Sequence, residues 1–191
     1  MFEIVTEAFN GDVKVISSPT FEDERGFLSV PYQEKEMLAL GLPKFVRELH
    51  SRSAKNVIRG LHYQNPPMGK LIRVTRGSAF MVAVDIDLDS PTFLQYHIAL
   101  VDDKNRYQIW APGRFARGFC ALEDNTEVQY KCDSYRGEEK VLRWDSVGIK
   151  WPTSDPILSA ADRSAQTTLF KETNEYHVGN PKYGGERKAI R

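Results

Sequence analysis

The sequence is short of the residues that staple small domains together. Among its 191 positions there are two cysteines, Cys120 and Cys132, and four histidines. The cysteines have neither CxxC spacing nor a histidine cluster beside them, which argues against structural zinc and for two reduced, buried thiols. No apolar run approaches the roughly 20 residues that span a bilayer, and the opening residues lack the basic, apolar and cleavage regions of a secretory leader. A cytoplasmic protein without membrane contact is expected. Excess charge of either sign is missing too. Lys plus Arg and Asp plus Glu each number 26, so no global field attracts nucleic acid, and any anion site must be local.

What the chain does contain is ample material for a core. At 41% hydrophobic and 27% charged it reads as one ordinary globular domain over 1–191. Strand-length runs recur at 12–16, 44–49, 71–75, 80–86, 93–100, 107–111 and 127–131. Turn clusters such as Gly77-Ser78, Ser90-Pro91 and Pro112-Gly113 separate them. Many short strands at such spacing favour an all-β sandwich or barrel. Helical signals are confined to 33–40, closed by Gly41 and Pro43, and to a short turn over 159–163 that Ser or Asp can cap. Both read as attachments to a β core. Residues 174–191 read as a polar tail, basic at its end.

The densest chemistry lies in Asn56-Val57-Ile58-Arg59-Gly60-Leu61-His62-Tyr63-Gln64, followed six residues later by Lys70. A guanidinium, an imidazole and an ammonium around a tight glycine supply a phosphate binder, a base and a partner for an oxyanion. That set suits proton abstraction beside a ketone on a phosphate-bearing substrate. On spacing alone, an Arg-Gly turn beside a structural histidine fits as well.

Wider context decides between them. Phe21-Glu22-Asp23-Glu24-Arg25-Gly26-Phe27, Arg59-Gly60-Leu61-His62-Tyr63-Gln64, Gly69-Lys70-Leu71, Val84-Asp85-Ile86, Ser90-Pro91-Thr92-Phe93, Tyr130-Lys131, Trp151-Pro152 and Leu158-Ser159-Ala160-Ala161-Asp162 occur in this order. Together they resemble the nucleotide-sugar epimerase family typified by dTDP-4-dehydrorhamnose 3,5-epimerase. The resemblance implies a cupin-type jelly roll with a few short peripheral helices. It also implies a homodimer that exchanges N-terminal segments of about 30 residues, and a cofactor-independent isomerase with no bound metal. Its substrate would be a nucleotide-diphosphate-linked 4-keto sugar, inverted at C3, C5 or both. Carried onto this chain, the resemblance makes His62 the base, Asp162 its orienting carboxylate and Tyr130 the acid on the opposite face of the sugar. Lys70 would lie near the ketone oxygen and Arg59 at the diphosphate. Arg25 and Phe27 would reach the partner's site, and Gln64 and Glu139 would contact substrate. The chemistry needs such a set. An α-proton leaves only if the enolate is stabilised, and inversion requires a second group to return the proton from the other face.

The chain departs from the family pattern at the presumed pocket. Arg47 and Leu49 stand in a block that commonly reads Gln-Asp-Asn, Val30 replaces a glutamate, Arg117 a histidine and Ala161 a lysine. Arg117 cannot shuttle protons but can bind phosphate, a sugar hydroxyl or the ketone oxygen. These changes suggest an altered sugar or nucleotide, or inversion at a single carbon. A metal-dependent cupin is disfavoured, because Gln64 and Arg117 stand where ligands would be needed. A ketoisomerase, or a module that binds nucleotide sugars without turning them over, stays open as an alternative.

Overall fold

The computed structural model of the protein describes residues 1–165; the tail expected over 174–191 lies outside the described residues. Among the described residues thirteen strands and two short helices follow one another. They are β1 (Glu3–Ala8), β2 (Val13–Ser17), β3 (Thr20–Asp23), β4 (Gly26–Ser29), α1 (Glu34–Ala39), β5 (Arg47–Ser53), β6 (Ile58–Asn65), β7 (Lys70–Arg76), β8 (Ser78–Asp85), β9 (Tyr96–Asp102), β10 (Gln108–Ala111), β11 (Phe115–Ala121), β12 (Thr126–Cys132), β13 (Glu138–Val141) and α2 (Ala160–Ser164). A six-stranded sheet in the order β1-β2-β10-β7-β12-β5 faces a five-stranded sheet in the order β13-β6-β11-β8-β9, and β3 and β4 form a separate hairpin. This is the all-β sandwich that the strand spacing predicts.

Alternation explains how the sheets meet. Val13 and Val15, Ile72 and Val74, Ile109 and Ala111, and Val128 point inward from the first sheet. They meet Ala79, Met81 and Ala83, Ala99 and Val101, and Phe115, Phe119 and Ala121 from the second. Each large aliphatic side chain so buried contributes about 1.5–3 kcal/mol. The five-stranded sheet is apolar on its outer face as well, where Leu61, Val82, Val84 and Ala116 are covered by Leu142 and Ile149. This double burial turns β8 into a nearly continuous apolar run. Met37 of α1 and the following Leu42 close the outer face of the other sheet over Ile16, Leu71 and Trp110.

Several strands escape a reading by periodicity. β1, β3 and β4 are largely exposed along their length, so no buried face marks their sequences. β6 and β11 are interrupted by Gly60 and Gly118, which oppose each other where the two strands approach closely. A Cβ on Gly60, whose φ is +131°, would lie 2.6 Å from the Gly118 Cα, so only glycine satisfies both the conformation and the contact. The run expected as a strand from Phe93 begins at Tyr96 instead. Its first residues are drawn into a turn by the buried Asp85 carboxylate, which accepts from the hydroxyls of Ser90 at 2.5 Å and Thr92 at 2.6 Å.

Candidate active site

A cavity of about 290 Å³ opens between the sheets. Arg59 and His62 of β6, Arg117 and Phe119 of β11, and Glu139 of β13 line one side. Leu49 and Ser51 of β5, Lys70 and Ile72 of β7, and Tyr130 of β12 line the other. The close glycine pair sets this arrangement. It brings β6 against β11 so that His62 pairs in register with Arg117, just before a bulge that precedes Phe119.

His62 is oriented from behind. Its Nε2 lies 2.6 Å from Oδ1 of Asp162, a carboxylate with a side chain only 3% exposed. The Asp162 oxygen accepts the Nε2–H, which leaves Nδ1 as the basic nitrogen. Asp162 is itself held by the start of α2. Ser159, the N-cap, donates its hydroxyl to Oδ2 at 2.7 Å and accepts the Asp162 backbone N–H at 3.1 Å. Burial pushes the Asp162 carboxyl up. Hydrogen bonds from His62, Ser159 and the Gly60 backbone, with the His62 charge, outweigh burial and hold it below the usual carboxylate value. A charged Asp162 favours the imidazolium that proton uptake would create.

Tyr130 enters from the opposite sheet, its hydroxyl 3.0 Å from Ser51 Oγ. Burial raises its phenol, with the Ser51 hydrogen bond and the Arg59 charge working the other way. A phenol kept protonated in this way is a proton donor on the side of the cavity away from the imidazole. Lys70 is 8% exposed, and its Nζ lies 5.8 Å from the centre of the Tyr130 ring. Burial first, then the positive charges of Arg117 and Arg47, bring its ammonium down to about 8 against the opposing pull of Cys132 and Glu139. Arg59 is steadied by Ser53 Oγ at 3.0 Å and the Arg52 carbonyl at 3.1 Å.

Not every expected contact residue reaches this cavity. Gln64 is 4% exposed, lies outside the lining, and accepts the Gly137 N–H at 3.1 Å. It ties β6 to the residue that leads into β13. Arg47 begins β5 outside the lining and acts on Lys70 through its charge. Arg25 and Phe27 lie on the β3–β4 hairpin, outside the lining of their own chain's cavity. There Arg25 pairs with Asp23, and the Arg106 guanidinium stacks 4.0 Å from the Phe27 ring. Conversely, residue type alone does not mark Ser51, and it marks Ser159 only as a helix cap. Ser51 follows Leu49 by two on one face of β5, and Ser159 precedes Asp162 by three at helix-cap spacing. Among the described residues no group of three or more His, Cys, Asp or Glu converges as a metal site would require.

Comparison with known proteins decides the family. The family model described as dTDP-4-dehydrorhamnose 3,5-epimerase matches residues 10–169. The chain belongs to that family. A relative of that name from Neisseria gonorrhoeae is 44% identical over 165 residues, covering 82% of this chain and 50% of the relative, so the chain spans half that protein's length. The crystal structure of the Bacillus anthracis epimerase with TDP and PPi bound superimposes with a TM-score of 0.83 at 37% identity, covering 87% of this chain and 99% of that one. The Legionella pneumophila epimerase, solved in complex with dTDP-4-keto-L-rhamnose, gives 0.82 at 36% identity, covering 86% and 92%. The two-sheet sandwich of this epimerase is thus the family's cupin jelly roll, and its chemistry is that of an isomerase acting on nucleotide-linked sugars. No helix among its described residues is long and apolar enough to cross a membrane.

Proposed function

We propose that this epimerase inverts C3, C5 or both of a dTDP-linked 4-keto-6-deoxyhexose, with His62 as base and Tyr130 as acid. The observation that carries this reading is the placement of an Asp162-bound imidazole and a Ser51-bound phenol on different sheets across one cavity. His62 Nδ1 takes the α-proton, the electron pair moves onto the ketone oxygen near Lys70, and Tyr130 returns a proton to the carbon from the other side. Solvent then moves the extra imidazolium proton to the phenolate, restoring both groups. Arg59 at the rim matches a diphosphate, and Glu139 a sugar hydroxyl. Leu49 and Ile72 on one side of the cavity and Phe119 on the other supply apolar surface suited to a 6-methyl group. We further propose a homodimer in which Arg25 and Phe27 of the hairpin complete the partner's nucleotide site, and a cytoplasmic setting, which fits the free buried thiols Cys120 and Cys132.

Proton exchange followed by NMR in deuterated buffer tests the reading. Using a panel of nucleotide-linked 4-keto sugars, deuterium is expected at C3, C5 or both, and is expected to vanish with His62→Ala. Tyr130→Phe should retain exchange while losing inversion. A carbonyl that migrates along the ring would instead identify a ketoisomerase, and tight binding without exchange a non-catalytic module.

A further inference from the structure

Arg117 is 4% exposed, and its Nη1 donates to the carbonyls of Met68 at 2.6 Å, Pro112 at 3.2 Å and Ala111 at 3.3 Å. These carbonyls bracket Lys70. Met68 precedes it by two residues on the approach to β7, Ala111 is its register partner on β10, and Pro112 follows Ala111. The guanidinium therefore joins the two strand ends from which Lys70 projects, and it keeps its charge throughout the pH range of a folded protein.

We infer that Arg117 is a positioning residue for Lys70, clamping the ends of β7 and β10 and holding a fixed positive charge near the ammonium, so that Lys70 donates a proton to the ketone oxygen. This deepens the function proposed above and rests on it for the place of Lys70 in the reaction. The surroundings of Lys70 support the assignment. Arg117 from β11 and Arg47 from β5 weaken its hold on the proton, Cys132 from β12 and Glu139 from β13 strengthen it, and burial is the largest influence. The neutral Tyr130 ring lies alongside. In the step, the C–H bond breaks to His62 Nδ1 while an O–H bond forms from Lys70 Nζ to the ketone oxygen. A neutral enol, an imidazolium and an amine result. The enol O–H returns its proton to Lys70 as Tyr130 protonates the carbon, and no oxidant or reductant is involved.

The test is a titration of the Lys70 ammonium in ¹⁵N-lysine-labelled full-length protein, without substrate. The wild-type midpoint is expected near 8. In Arg117→Gln and in Arg117→His, whose imidazole is neutral at that pH, it should rise by at least about one pH unit, and in Arg117→Lys it should stay. The alkaline limb of kcat should move with it. At pH 7 kcat should fall about three- to ten-fold in the Gln and His variants although Lys70 is then fully charged, because a weaker acid donates less readily. A wild-type midpoint near 10.4, or a midpoint that ignores Arg117→Gln and Arg117→His alike, overturns the inference. Should Arg117→Gln fail to fold, the His and Lys pair carries the comparison. A Lys70 midpoint that follows Arg117 in a protein exchanging no sugar proton would leave the clamp standing and overturn the epimerase function instead.

Discussion

Lys70 has opposite consequences for chemistry and for folding. Its ammonium is brought down to about 8 by burial and neighbouring cations, whereas in the unfolded chain it titrates near 10.4. Below pH 8 both states are charged, and the folded state carries the full cost of holding that charge in the cavity. Between about 8 and 10.4 the unfolded chain binds more protons than the folded one, so stability rises with pH across that window. Replacing the ammonium by a methionine side chain removes the cost. Lys70→Met is expected to be more stable at pH 7 by up to about 3 kcal/mol and to lose most of its activity, which urea denaturation and the exchange assay check together. At this scale much of the site was legible. His62, Lys70, Arg59 and Tyr130 stand in short motifs whose residue types already state their chemistry. Ser159 was legible only as a helix cap, and Ser51 not at all, since its partner Tyr130 lies 79 positions away and only folding brings the two together. Gln64 shares the motif of His62 and yet lies outside the cavity lining, a placement that its position in the sequence does not reveal.

At the scale of the elements, the site depends on how closely β6 and β11 can run. Gly60→Ala adds a Cβ at 2.6 Å from the Gly118 Cα, in a conformation of φ +131° that alanine avoids. A loss of more than about 1 kcal/mol is expected, with a larger drop in kcat than the stability change explains, because His62 and Arg117 are paired across this contact. Thermal denaturation beside steady-state kinetics separates the two. The same pair of strands shows why periodicity falls short. β8 announces itself by continuous apolar burial and β2 by alternation. β6 gives inward positions to Arg59 and His62, β11 sets Arg117 between the core residues Phe115 and Phe119, and both place glycine where they cross, so the segments that line the cavity look least like strands.

At the scale of the whole molecule, the hairpin formed by β3 and β4 leaves Phe21 63%, Phe27 59% and Leu28 67% exposed, a surface that suits a second copy better than water. If Arg25 serves the partner's site, inactive variants should repair one another. Co-expressed Arg25→Ala and His62→Ala chains are expected to recover about a quarter of wild-type activity, since half of randomly formed dimers are mixed and each contains one complete site. Activity no greater than that of the two separate variants would show that each chain works with its own residues. The β class was readable from turn spacing alone, whereas the dimer was suggested only by resemblance, because an exposed strand leaves the same trace in sequence whether solvent or a partner covers it.

The carboxylate behind the base sits on α2, one hundred positions after His62 and beyond the last strand of either sheet. In chain order the two sheets and the cavity arginines therefore come before the carboxylate that completes the proposed catalytic pair. The connection between β13 and α2 also supplies Leu142 and Ile149 to the cover of the five-stranded sheet, so a cut there would loosen that cover along with the link between the proposed base and its carboxylate. The pairing of the proposed base with its carboxylate is thus completed by a late turn of the chain, after the cavity that it serves.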